Sequence, residues 1–310
     1  MKLTNRKNYP DIVVKALQHV SDKYSKGEGA DISVTELIGP PLMRILKKKH
    51  YKEIEEDAED RMYSFFGSIA HEFVENVQSE EVLYREQRMY IEVGGWVLSG
   101  QFDLVYKHDD KVTMTDVKFS SKYAVKDGCK KDWERQLNIY RYMFEDSNNK
   151  NINVDSLEVN RLEIFAPIRD AGFLDDKLVV LPVKKYKSYK VKEYIEKRIA
   201  FHKLCEDEMI DKIPECTPEE RWQDPEKYAV MTKTAKKSLK NHDTRASAEA
   251  HAAKTKGGYV EVRPAENKRC SRFCNVSKWC WWWNTEPGNR PNSYETVNND
   301  KKNGCNSFKV

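Results

Sequence analysis

Long apolar runs are missing from this chain. No stretch approaches the roughly 20 consecutive apolar residues that a membrane-spanning helix needs, and the opening MKLTNRKNYPDIVVKAL lacks the apolar run of a secretory signal. A soluble, cytoplasmic protein with no membrane partner is expected. A dominant charge is missing as well: 54 Lys and Arg stand against 50 Asp and Glu, a net charge of +4, which is too balanced to name a partner. No internal repeat is visible, and no segment reads as a base-specific recognition element.

What is present is ample length. The 310 residues, 36.4 kDa, make about two domains the natural expectation. Aromatic residues are 11% of the chain, which argues against wholesale disorder. Charge is unevenly spread: residues 231–310 hold 16 Lys and Arg and 7 Asp and Glu, a balance of +9, which leaves −5 for the first 230. A basic C-terminal part permits nucleic-acid contact, although a solvated face would look the same.

Periodicity divides the chain. An amphipathic helix is expected over Ile12–Tyr24, and Ser33 with Glu36 three residues on reads as a capping box ahead of Gly39-Pro40-Pro41. From Glu55 to Ser79, Met62, Phe65, Phe66, Ile69, Phe73 and Val77 recur at helical spacing. Three strands follow, Val82–Val93, Trp96–Tyr106 and Lys111–Phe119, separated by Gly94-Gly95 and Asp109-Asp110. Then come a helix over Lys131–Glu145, strands at Val159–Phe165 and Lys177–Val183, and a long charged helix over Tyr189–Glu208. Beyond 209 the pattern weakens to a helix around Arg245–Lys256 and a strand around Gly258–Arg263. The implied domains are an N-terminal helix (1–31), an α/β core (32–210), a cysteine-bearing C-terminal lobe (211–284) and a polar, disordered tail (285–310).

Into this order fall Asp103, Asp116 and Lys118. Residues i and i+2 of a strand share a side, so Asp116 and Lys118 face the same way. A hairpin centred on Asp109-Asp110 sets 103 opposite 116, with Cβ atoms roughly 4.5–5.5 Å apart. Two carboxylates that close repel unless a cation joins them, and Mg²⁺ or Mn²⁺ does this while leaving room for water and a phosphate. Such an ion polarises a phosphodiester and lowers the pKa of an attacking water. Lys118 beside it would orient that water or neutralise developing charge.

The pattern resembles the PD-(D/E)XK nuclease superfamily, in particular its RecB-like branch and the iron–sulfur nucleases of CRISPR adaptation and of bacteriophages. The residues carrying the likeness are Gly67-Ser-Ile-Ala-His71-Glu72, Gly100-Gln-Phe-Asp103, Asp116-Val-Lys118 and Gln136-Leu-Asn-Ile-Tyr140, together with IPECTPEERW and the C-terminal cysteines. Each element alone is weak, and all four in order carry weight together. The resemblance implies an α/β, restriction-endonuclease-like core (helix, three strands, helix, strand) with a helical C-terminal lobe carrying a cysteine–metal module. It implies that His71, Asp103, Asp116 and the Val117 carbonyl bind the metal, that Lys118 assists catalysis, and that Gln136 and Tyr140 hold the site or a DNA phosphate. Glu72, Glu75, Glu86 and Glu134 are not expected to be ligands.

Of seven cysteines, Cys270, Cys274 and Cys280 stand within eleven residues. In an intracellular chain that suggests metal before disulfide. Related nucleases draw a fourth cysteine from the segment before the first core helix, but Gly39 stands there, so Cys216 is the best replacement. The gaps lack the CxxC knuckle common in zinc sites, and with the resemblance a 4Fe-4S cluster is preferred over Zn²⁺. The tryptophans of Trp279-Cys280-Trp281-Trp282-Trp283 are expected mostly to pack around that group.

The function so implied is a metal-dependent deoxyribonuclease, an exonuclease on DNA ends or single strands, with DNA as partner and a recombinase or helicase as a further one. The alternative is a non-catalytic DNA-binding or adaptor protein that keeps the fold.

Overall fold

The structure, a computed structural model, describes residues 2–23, 27–146 and 157–285. Residues 286–310, which include Cys305 and nearly all of the tail expected to be disordered, lie outside the described residues. The chain divides into two units, Met1–Ile213 and Pro214–Val310. Among the described residues no helix is long and apolar enough to cross a membrane.

The first unit is mixed α/β. Its main helices are α1 (Asp11–Lys23), α2 (Val34–Ile38), α3 (Pro41–His50), α4 (Ala58–Glu75), α5 (Lys131–Glu145) and α6 (Ser188–Leu204). Its main strands are β1 (Ile32–Ser33), β2 (Val82–Arg85), β3 (Arg88–Val93), β4 (Trp96–Gln101), β5 (Leu104–His108), β6 (Lys111–Val117), β7 (Arg161–Pro167) and β8 (Leu178–Val183). Five of them form a sheet in the order β8-β7-β6-β5-β2, with β6 and β7 parallel and the other pairs antiparallel. The other three form a second sheet, β1-β4-β3.

Two of the expected strands are each broken in two. Val82–Val93 divides at Glu86, and Trp96–Tyr106 divides at Phe102-Asp103, so at each break the chain passes from one sheet to the other. Phe102 fixes the second crossing: it is fully buried and meets Phe144 of α5 edge-on at 5.6 Å. The hairpin register is the one set by the Asp109-Asp110 turn, with Leu104 opposite Thr115. Both turn residues take positive φ, +48° and +58°, as a tight hairpin requires. Strand β6 is buried from Val112 to Val117, as expected of a central strand covered on both faces, and this carries Asp116 into the interior.

Helix α4 starts later than its periodicity suggests. Glu55–Asp57 pairs as a strand with Lys2–Thr4, and Asp57 caps the helix by accepting the Glu59 N–H. The capping box at Ser33 and Glu36 forms in full. Helix α5 buries Leu137, Ile139, Tyr140, Met143 and Phe144 in the main core.

The second unit is not the helical lobe expected. It holds a three-stranded antiparallel sheet, β10-β9-β11 (Lys240–His242, Lys227–Thr232 and Gly258–Arg263), with α7 (Arg245–Ala253) packed on it. Ala248 and Ala252 meet Val230 and Val260 there. Valine, threonine and tyrosine in Tyr228-Ala-Val-Met-Thr232 and Tyr259-Val-Glu-Val262 are residues that fit a half-buried sheet.

Candidate metal centre

Both strand breaks present an acid at the same place. Glu86 turns the chain in the left-handed region, φ +47°, and its N–H donates to the Asp103 carbonyl at 2.8 Å, so the two breaks lie side by side. The Gln101 amide bonds the Glu86 carboxylate, while Gln101 Oε1 accepts from Arg88 at 2.7 Å. From α4, His71 sets Nδ1 3.2 Å from Asp103 Oδ2 and 3.9 Å from Glu86 Oε1. One donor atom each from His71, Glu86 and Asp103 lies within 4.8 Å of the others. Asp103 Oδ2 also accepts the Val117 N–H at 2.6 Å.

Asp116 stands beside this trio and is almost wholly buried. Its Oδ2 lies 2.6 Å from Lys118 Nζ, yet has no partner of hydrogen-bonding geometry. Burial holds its carboxyl above the ordinary range; Lys118 works against this and Asp103 adds to it. Burial likewise raises Glu86, with repulsion from Asp103. For His71 burial favours the neutral ring, but the Asp103 bond and the charges of Asp103 and Asp116 outweigh it, and its pKa rises. Lys118 follows the same logic: burial opposes its charge, Asp116 and Asp103 prevail, and its pKa rises. The donors are therefore one imidazole and several carboxylates that repel one another, a set suited to a hard or borderline divalent cation.

The remaining expected residues lie close by or elsewhere. Gln136 donates to the Tyr140 hydroxyl at 2.7 Å. The Tyr140 ring explains Gly100: a Cβ there would meet Tyr140 Cε1 and Val34 Cγ2, both at 2.9 Å. Burial first, then Asp116, raises the Tyr140 pKa. Glu134 hydrogen-bonds Tyr186, and Glu72 is exposed. Glu86 is the member sequence reasoning set aside. Its signal lay in the polar Arg85-Glu86-Gln87-Arg88 interrupting a long β-type run.

Cys216, Cys270, Cys274 and Cys280 all belong to the second unit. Burial, then Glu220 and then the other three thiols push Cys216 up to about 12. Burial and its neighbours Cys274 and Cys280 push Cys270 up to about 11. The four thiols thus feel one another, yet no three sulfurs among the described residues fall within the 4.8 Å that gathers the His71 trio. Two arginines that sequence reasoning did not single out hold the segments together. Arg221 bonds the Cys216 carbonyl and Asn267 Oδ1 and lies 3.9 Å from the Trp282 ring centre. Arg269 donates to the Glu220 carbonyl at 3.0 Å and lies over Trp222. Trp279, Trp281, Trp282 and Trp283 are all half-buried. Cys129 and Cys205 stand apart in the first unit, Cys205 buried.

Comparison with known proteins adds a family. The PD-(D/E)XK nuclease superfamily matches residues 14–281. Among solved structures the chain is similar to one titled "Crystal structure of SSO0001", with 18% identity, a TM-score of 0.43, and coverage of 61% of this chain and 84% of that one. No curated protein matches.

Proposed function

The chain belongs to the PD-(D/E)XK nuclease superfamily, and on that premise we propose that it is a metal-dependent deoxyribonuclease, an exonuclease acting on DNA ends or single strands. The observation that carries this is the convergence of His71, Glu86 and Asp103 beside the buried Asp116 and its ion pair with Lys118. Carboxylates crowded together at a largely buried site are costly when one lysine and one histidine offset them, and a divalent cation relieves that repulsion.

His71, Glu86 and Asp103 would hold Mg²⁺ or Mn²⁺, with Asp116 and the Val117 carbonyl as further ligands. When bound, the cation supplies a Lewis acid for a phosphate oxygen and a lowered pKa for the attacking water. The chain's own residues do the rest. Lys118 keeps its proton and presents a fixed positive charge where the phosphoryl oxygens gain negative charge. Asp103 is anchored by the Val117 N–H and does not swing away. Gln136 aims the Tyr140 hydroxyl, and Gly100 lets that ring lie against the end of β4. Water adds to phosphorus as the P–O3′ bond breaks, leaving a 5′-phosphate and a 3′-hydroxyl. The imidazole in the set favours Mn²⁺ over Mg²⁺ at equal concentration.

In the second unit Cys216, Cys270, Cys274 and Cys280 would hold a 4Fe-4S cluster, with Zn²⁺ the alternative. The gaps of three and five residues between Cys270, Cys274 and Cys280 lack the CxxC knuckle common in zinc sites, which supports the cluster. The RecB-like, phage-type resemblance of the sequence motifs supports a role in recombination, repair or phage DNA processing, alongside a recombinase or helicase.

The test is anaerobically purified protein with end-labelled single- and double-stranded DNA, in Mn²⁺, Mg²⁺ or chelator, with iron and acid-labile sulfide measured on the same preparation. Degradation of ends in metal, and none in chelator, is expected. DNA binding without cleavage in any metal would move the protein to the adaptor alternative.

A further inference from the structure

The small sheet of the second unit gathers charge at one end. Between Lys227 and Arg263 the sequence holds nine Lys and Arg against three Asp and Glu. The register pairs Thr232 at the end of β9 with Gly258 at the start of β11. The β9–β10 turn and the α7–β11 loop therefore emerge from the same end of the sheet. The turn carries Lys233, Lys236 and Lys237; the loop carries Lys254 and Lys256; all five are exposed. Both loops are built rather than loose. Leu239 N–H returns to the Val230 carbonyl at 2.8 Å, Ala235 N–H to Thr232, and Gly258 N–H to Thr255 at 2.9 Å.

The acids of the module are engaged with other cations. Asp243 takes Lys227, Glu249 takes Arg245 and Glu261 takes Arg263. None of the five lysines at the sheet end has an acidic partner among the described residues. Beside them, on the second residue of β11, Tyr259 exposes 44% of its surface. Like charges crowded on two short loops repel, and a polyanion relieves that repulsion. A flat exposed ring among such lysines is the combination that grips unpaired bases while cations follow the backbone.

We propose that this end of the sheet binds the phosphate backbone of single-stranded DNA, with Tyr259 stacking on a base. The proposal rests on the DNA-substrate conclusion above and extends it to a surface formed wholly by the second unit. Residues Lys233, Lys236 and Lys237 each neutralise a phosphate; Lys254 and Lys256 flank the strand from the neighbouring loop.

The test is binding of a fluorescein-labelled oligo-dT and of a labelled duplex to the full chain, by anisotropy in EDTA over a range of salt. Each lost phosphate contact on a single strand flattens the slope of log K against log salt by about 0.7. The variant K233Q/K236Q/K237Q should flatten it by about 2 and weaken oligo-dT binding roughly tenfold at 0.1 M salt. Tyr259→Ala should weaken oligo-dT binding about fivefold or more with the slope unchanged, and Tyr259→Phe should restore it. Unchanged affinity and slope in the triple variant would overturn the proposal. So would a loss confined to binding of poly-glutamate, which would mark an acidic protein as the occupant. Because EDTA prevents cleavage, the outcome is separate from the nuclease conclusion. Lysine-dependent binding by a chain that cuts nothing in Mn²⁺ would leave this surface standing and remove the nuclease. Cleavage with lysine-independent binding would do the reverse.

Discussion

Two histidines of the first unit are held by opposite surroundings. His202, on α6, is wholly buried: its Nδ1 accepts from Arg44 Nε at 3.1 Å, and its Nε2 lies 3.2 Å from the Leu37 carbonyl. Those partners define a neutral ring with Nε2 protonated. Burial, and then the Arg198 and Arg44 charges, drive its pKa down to about 4. Arg198 also bonds the Leu37 and Gly39 carbonyls, so the cluster ties α2 and α3 to α6. His71 faces carboxylates instead, and its pKa moves up. In the first cluster the ring nitrogens have the partners their neutral state needs. In the second, His71, Glu86, Asp103 and Asp116 crowd together with Lys118 as the one lysine among them. A polar cluster that closes on itself builds structure, and one left open awaits something from outside.

The largest expected effect separates the two clusters outright. Lys118→Ala should lower metal-dependent cleavage by about 10³-fold, with a melting temperature in chelator within about 4 °C of wild type. A comparable fall in both would make the centre structural. The next effect belongs to His202. The unfolded chain takes up a proton near pH 6.5 and the folded chain only near 4. Between those values the unfolded state binds more protons, so stability is complete above pH 6.5 and falls as pH drops toward 4. Urea unfolding at pH 7 and pH 4.5 should show about 2–3 kcal/mol of this loss, largely absent in His202→Gln. A pH-independent difference would break the contrast between the two sites.

Metal should then stabilise one cluster alone. At a hundred times its dissociation constant, Mn²⁺ should add about 2.7 kcal/mol, read as a rise in melting temperature, and His71→Ala and Glu86→Gln should each reduce it. An unaffected rise in Glu86→Gln would remove Glu86 from the ligand set. Smallest is Gly100→Ala. Its new methyl meets the Tyr140 ring and Val34, and overpacking of this kind costs about 1–3 kcal/mol. Calorimetry should show that loss together with reduced cleavage, because the ring that must shift belongs to the site.

Much of the first unit could be read from local chemistry. The Asp109-Asp110 turn set the β5–β6 register as far as Leu104 opposite Thr115, which leaves Asp103 just beyond the ladder, bonded to the Val117 N–H. Ser33 and Glu36 announced their helix start, and helical spacing marked α4 and α5. The strand breaks could not be read the same way. Polar residues interrupt both runs, Arg85-Glu86-Gln87-Arg88 in one and Gln101 with Asp103 in the other, but the switch between two sheets that they accompany is a tertiary event. That is why Glu86 looked like a solvated side chain, although the break is what turns it toward His71. In the second unit, β9 and β10 are short and flanked by lysines, and their hydrophobic pattern is too brief to separate a strand from a loop. The cysteines drew attention by their spacing. Arg221 and Arg269 did not, since an arginine that caps carbonyls and lies on tryptophan looks, in sequence, like any surface cation.

Asp116→Asn tests the central claim most directly, with cleavage in Mn²⁺ and melting temperature in chelator measured on one preparation. The substitution keeps the shape of the side chain and removes one of the crowded buried charges. Cleavage lost with the melting temperature held or raised is the predicted result. Cleavage retained while the melting temperature falls would show that Asp116 and Lys118 are a structural ion pair, and that the open cluster is not the catalytic one.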